Sequence, residues 1–247
     1  MFTPQERNAL RDSLIAASRD DERIPSAALT GSSALGAEDE WSDIDLAFAI
    51  APGVEMRQVI ADWTDRMYRE HGALHHMDVM AGPAVFRVFL LRSTLQVDIA
   101  FWPAEEFGAI GPTFRLVFGT AAERPVPGET SARALADMGW LYALHARSSI
   151  ARRRVWQAEY MISGVRDHVL ALACLRMGVP TAQGRGMDRL PGKTTEPFSG
   201  ALVRSLEPDE LRRAFAVACK ALIGELELAD VELAHRLAPA LRELADA

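Results

Sequence analysis

Three aspartates stand where aspartate is a poor choice for the local structure. Asp43 and Asp45 fall within Ser42 to Ile50, whose apolar residues alternate, and Asp98 falls within a second alternating run, Leu95 to Trp102. Aspartate is disfavoured in strands, so three inside otherwise apolar strands require a reason. Residues two apart on a strand point to the same side, which spaces the carboxylates of Asp43 and Asp45 about 7 Å apart along one face. Hard cations such as magnesium take carboxylate oxygens, commonly from one or two side chains together with substrate phosphates. With the strand of Asp98 beside the first, three carboxylates would converge where two metal ions could clamp the attacking and leaving oxygens of an in-line displacement. Upstream, Gly31-Ser32 closes the apolar run Ile24 to Thr30. A tight turn from strand into helix points backbone N–H groups and a hydroxyl at an anion. Glycine permits close approach of the backbone to phosphates, and Ser32 or Ser33 can donate a hydrogen bond or cap the short helix that follows.

These residues need a sheet to position them, and the pattern supplies one. Gln5 to Ala17 reads as an opening helix and Ile24 to Thr30 as a first strand. In Ser42 to Ile50, Ile44, Leu46 and Phe48 share one face while Asp43, Asp45 and Ala47 share the other. Val54 to His71 carries Val59, Ile60, Trp63 and Met67 at helical spacing, stopped by Gly72. Ala73 to Met80, Val85 to Leu91 and Leu95 to Trp102 read as three further strands, the last setting Leu95, Val97, Ile99 and Phe101 against Gln96, Asp98 and Ala100. Residues 1–105 then form a mixed-sheet domain. Residues 106–130, rich in proline and glycine, read as a linker. Residues 131–247 read as an all-α domain of about four helices, Ala132 to Ala146, Ile150 to Met177, Glu207 to Glu225 and Ala229 to Ala245. The fold class expected is α+β followed by a helical bundle.

Composition bounds the partners. The 247 residues are 49% hydrophobic and 25% charged, ordinary for a packed globular protein, with a formal net charge of −7. That charge argues against a general nucleic-acid binder, which would carry a basic stripe, and is compatible with a cationic small substrate. Cys174 and Cys219 lie in helical stretches without metal-ligand spacing and read as buried free thiols. No run approaches the length of a membrane span, and the expected location is cytoplasmic.

The stretch Gly31-Ser32-Ser33-Ala34-Leu35-Gly36, a spacer, then Ser42-Asp43-Ile44-Asp45-Leu46 resembles the signature of the polymerase-beta-like nucleotidyltransferase superfamily. Asp98, in Gln96-Val97-Asp98-Ile99, matches the third carboxylate of that family in order and context. The resemblance covers about residues 24 to 102. It implies an NTP co-substrate and two magnesium ions held by Asp43 and Asp45, with Asp98 completing the metal nearest the acceptor hydroxyl. Gly31 and Ser32 would hold the β- and γ-phosphates, with Ser33 and Ser42 as further nucleotide-binding candidates. Many small-molecule members carry a basic residue where this sequence has Leu35, so that phosphate contact must come from elsewhere. The helical half, with Trp156-Gln157-Ala158-Glu159-Tyr160 and Gly186-Met187-Asp188-Arg189-Leu190-Pro191, is similar to the second domain of nucleotidyltransferases acting on aminoglycoside or lincosamide antibiotics. This implies transfer of a nucleoside monophosphate, AMP from ATP, to a hydroxyl of such a molecule, with release of pyrophosphate. The alternatives are a protein or RNA end as acceptor, or a non-catalytic antitoxin-like module that binds a partner protein.

Other candidates are weighed on their chemistry. Trp156, Glu159, Ser163 and Arg166 share one helix face of mixed character, and Glu159 could bind a substrate amine or act as general base; its structural alternative is a surface glutamate paired with an arginine. Lys193, in a glycine- and proline-rich loop, is the candidate cation for the triphosphate. Arg152 to Arg154, placed within a helix, point in different directions and cannot all face one ligand. Glu105 and Glu106 are rival carboxylates just past the last strand. His75, His76 and Asp78 do not form a metal site, because the two histidines would point to opposite faces of their strand. Gly186 to Thr194 is not a P-loop, having five residues where the motif has four. A homodimer would supply the missing basic contacts from a second subunit.

Overall fold

The computed structural model describes residues 1–125, 128 and 130–246. The chain divides into two compact units, Met1–Gly128 and Glu129–Ala247. The first holds helix α1 (Pro4–Arg19), strand β1 (Ser26–Thr30), the four-residue helix α2 (Gly31–Ala34), β2 (Ile44–Ile50), α3 (Met56–Glu70), β3 (Ala73–Ala81), β4 (Ala84–Leu91), β5 (Gln96–Pro103) and β6 (Phe114–Phe118). α1 starts where the sequence supplies a full start signal. Thr3 accepts the Glu6 amide, the Glu6 carboxylate returns to the Thr3 amide, and Pro4 fills the first helical position.

The six strands form one mixed sheet in the order β3-β4-β5-β2-β1-β6. All neighbours are antiparallel except β2 and β5, which run parallel. Strand alternation sorts the side chains. Ile44, Leu46, Phe48 and Ile50 of β2 and Val97, Ile99 and Phe101 of β5 join Val59, Trp63 and Met67 of α3 and Leu14 of α1 in the main core. The opposite face carries small residues, Ala28, Ala47, Ala49 and Ala100, closed at one end by Trp102 and Phe107. Asp45 and Asp98 have the same parity as these alanines, so they sit on the face of the sheet with short side chains.

β6 corrects the expected linker. Residues 114–118 pair with β1, and Arg115 donates to the Ser33 carbonyl at 3.1 Å, so the segment completes the sheet and buttresses the Gly-Ser turn. Val117 breaks the alternation of Phe114-Arg115-Leu116-Val117-Phe118, so this edge strand is not legible from its own sequence.

The second unit holds α4 (Ala132–Ala151), α5 (Val155–Arg176), α6 (Gly192–Ser199), α7 (Pro208–Ala229) and α8 (Val231–Asp246), with two short 3-10 turns between α5 and α6. The four long helices correspond to the four expected, with α4 running on to Ala151 and α5 starting only at Val155, and they share one core that includes Ile162, Leu172, Phe215 and Leu222. Gly139 fits under Leu222 and Gly164 under Tyr142, positions where a Cβ would collide or crowd. Both cysteines are buried and unpaired with each other, and burial pushes the Cys219 thiol up to about 12. Arg152, Arg153 and Arg154 lie in the exposed turn between α4 and α5 and not inside a helix; Arg153 there adopts φ 56°. Among the described residues, no helix is long and apolar enough to cross a membrane.

Candidate active site

The parallel pairing of β2 and β5 sets Asp45 opposite Asp98, and Asp43 immediately precedes β2. Ligand oxygens of Asp43, Asp45 and Asp98 all lie within 4.8 Å of one another, and all three residues are half-buried. The arrangement is electrostatically unfavourable without a cation. Burial, opposed by a hydrogen bond from Gln96 and reinforced by the nearby Asp43 charge, pushes the Asp98 carboxyl up to about 6. Gln96 Nε2 spans the cluster, donating to Asp98 Oδ1 at 3.0 Å and to Asp43 Oδ2 at 3.4 Å. Gln96 was legible as the residue two before Asp98 on the same face, but its type gave no hint of bridging two carboxylates.

The Gly31 turn closes on the same cluster. Gly31 has φ 61°, in the left-handed region that favours glycine, and a Cβ there would stand 1.9 Å from Asp45 Oδ2. The glycine is therefore required by the close approach of its backbone to the carboxylate of Asp45, a role added to the expected one toward phosphate. Ser32, half-buried, follows it. Ser33 is buried, and its hydroxyl donates to the Thr30 carbonyl at 3.0 Å, holding the turn. Ser42 Oγ accepts the Asp39 amide and donates to Asp39 Oδ1, both at 2.9 Å, so it shapes the approach loop. Leu35 is 58% exposed.

That approach loop is clamped from α1. Arg7, 3% exposed, donates to the carbonyls of Asp39 and Ser42, and Arg11 pairs with Glu38 at 2.8 Å. Sequence reasoning missed Arg7, because a guanidinium on a polar helix face looks solvated until the loop that covers it is known.

Two further candidates belong to the helical unit. Glu159 on α5 accepts the Ser163 hydroxyl at 2.8 Å, and no arginine pairs with it among the described residues. Trp156 and Tyr160 beside it are 74% and 63% exposed. Lys193, on the first turn of α6, lines a cavity within that unit. Glu106 pairs with Arg124 at 3.4 Å, which occupies one of the rival carboxylates. His75 and His76 have ring centroids 6.0 Å apart, and His76 shares a 3.0 Å hydrogen bond with Tyr68, a packing role on the outer strand.

Three carboxylates at this spacing form an oxygen-only donor set suited to a hard divalent cation, and they fit magnesium by donor chemistry. No protein-family model and no curated protein matches this sequence. Among solved structures, an aminoglycoside 6-adenyltransferase from Bacillus subtilis is similar to it, with 12% identity, 100% of each chain covered and a TM-score of 0.44.

Proposed function

We propose that the protein is a magnesium-dependent nucleotidyltransferase that moves a nucleoside monophosphate, AMP from ATP, onto a hydroxyl of a small molecule. The observation that carries this reading is the gathering of Asp43, Asp45 and Asp98 within 4.8 Å beside a glycine turn. When bound, divalent cations would supply the positive charge that draws the triphosphate onto the three carboxylates and offsets charge developing on its oxygens. The opening amides of the Gly31-Ser32 turn have no partner inside their helix and are the donors for the β- and γ-phosphates. The acceptor oxygen forms the new bond to the α-phosphorus as the bond to pyrophosphate breaks, and the hydroxyl proton passes to a base. Glu159, which accepts from Ser163 and pairs with no arginine among the described residues, is the residue we assign to that role or to an acceptor amine.

Exposed Trp156 and Tyr160 beside Glu159 offer aromatic faces and a carboxylate, which suit a cationic acceptor such as an aminoglycoside-like antibiotic. A complete acidic cluster favours catalysis over a purely partner-binding module. The test is pyrophosphate release from labelled ATP with magnesium and a panel of antibiotics, in wild type and Asp45→Asn. We expect release with at least one acceptor and a loss of 100-fold or more in the variant, an order of magnitude typical of lost charge stabilisation. Near-normal transfer by Asp45→Asn would overturn the assignment, whereas silence with every antibiotic would overturn the acceptor class.

A further inference from the structure

The chain uses its cations unevenly. Of 27 basic residues only Lys193 and Lys220 are lysines, leaving 27 − 2 = 25 arginines. Every ion pair among the described residues takes its cation from arginine. Neither lysine has an ion-pair partner there. Both line one cavity of about 600 Å³ in the helical unit, Lys193 from α6 and Lys220 from α7.

The same cavity includes the pair Arg176 and Glu225. Glu225 is 5% exposed, and its two oxygens accept from Arg176 Nη2 at 2.9 Å and Nε at 3.1 Å. This fork-to-carboxylate pairing fixes Arg176 and neutralises both groups. The two lysines then leave the cavity with a formal charge of +2 in a chain whose net charge is −7. Phe198 and Val217 provide apolar wall. A volume of this size with apolar wall and a few polar groups falls in the range of small-molecule sites, and both lysines stand exposed at it. An ammonium is a compact point charge with three rotatable donors, suited to a tetrahedral anion.

We propose that this cavity binds a small dianionic organic ligand, an apolar body bearing one phosphate monoester, with the phosphate between Lys193 and Lys220 and the body against Phe198 and Val217. The site belongs to the helical unit and does not depend on the nucleotidyltransferase reading. It gives Lys193 an anion to hold in its own unit in place of the triphosphate.

Having only two lysines makes the test direct. Reductive methylation with ¹³C-formaldehyde preserves the charge and leaves two lysine signals beside the N-terminal amine. Titration with phenyl phosphate at constant ionic strength is expected to shift both signals saturably with one shared Kd. Inorganic phosphate is expected to bind at least tenfold more weakly, and phenol to move neither signal. Calorimetry on unmodified protein is expected to give at least a tenfold weaker Kd for phenyl phosphate in Lys193→Met and in Lys220→Met, each checked for an unchanged melting profile. Linear, unsaturating shifts would overturn the proposal, and inorganic phosphate binding as tightly as the ester would overturn the apolar part of the ligand. Binding lost in Asp45→Asn but kept in both lysine variants would place the probe on the acidic cluster and also overturn it.

Discussion

Replacing Asp98 with asparagine should stabilise the metal-free protein. The Asp98 carboxyl stands at about 6 against an ordinary value of 3.8, chiefly through burial, with the Asp43 charge adding to it. A carboxyl whose pKa is raised by folding holds its proton more tightly in the folded chain. Its contribution to stability is therefore fully present below about pH 4 and is lost as the pH climbs through about 6. The gap corresponds to about 3 kcal/mol at pH 8. Discounted for the solvent that still reaches a half-buried side chain, about 1–2 kcal/mol remains. Asparagine keeps the shape and can still accept from Gln96, but has no charge to bury. In EDTA at pH 8 the transition of the sheet unit is expected to rise by about 3–8 °C in Asp98→Asn, with roughly half that gain at pH 5. Magnesium should reverse the ranking: at a hundredfold excess over its Kd it adds about 2.7 kcal/mol to the wild type and much less to the variant. Differential scanning calorimetry across pH, with and without magnesium, reads all of this. A variant that melts below wild type at pH 8 in EDTA, or a difference that ignores pH, would refute the picture of a strained carboxylate cluster.

Gly31→Ala would place a Cβ 1.9 Å from Asp45 Oδ2 at φ 61°. We expect a loss of about 1–2 kcal/mol from backbone conformation alone, with displacement of Asp45 and a fall in kcat larger than the stability loss explains, measured by paired melts and transfer assays. Gln96→Leu removes the hydrogen bond that holds the Asp98 pKa down. The acid limit of magnesium binding should move to higher pH by up to about one unit, and a thermal-shift titration at several pH values that finds no movement counts against the bridge. Arg176→Met would strand the buried Glu225 charge at a cost of about 3–5 kcal/mol, whereas Arg176→Met with Glu225→Leu should recover most of it in urea melts.

Much of the sheet was readable because its residues obey alternation. Ile44, Leu46 and Phe48 against Asp45 and Ala47 stated which face is core, and Val97, Ile99 and Phe101 against Gln96 and Asp98 stated it again. The convergence of the three carboxylates followed once those two strands were neighbours. What escaped were features set by residues distant in sequence. Strand β6 carries no period of its own and exists because β1 offers an open edge. The Arg7 clamp depends on carbonyls more than thirty residues away, and the Arg176–Glu225 pair joins α5 to α7. The turn at Arg152 to Arg154 was hidden because charged residues read equally well as helix surface.

The one parallel junction in the sheet also fixes when the acidic cluster can exist. During synthesis Asp43 and Asp45 leave the ribosome with β2, but their partner arrives only after α3, β3 and β4 have been made, and β2 and β5 cannot meet through a hairpin. A nascent chain ending before β5 has no site at all, and one ending after Pro103 but before Phe118 has the carboxylates without the strand that braces the glycine turn. A divalent cation held by the three carboxylates would therefore stabilise only those chains in which the crossover to β5 has been completed.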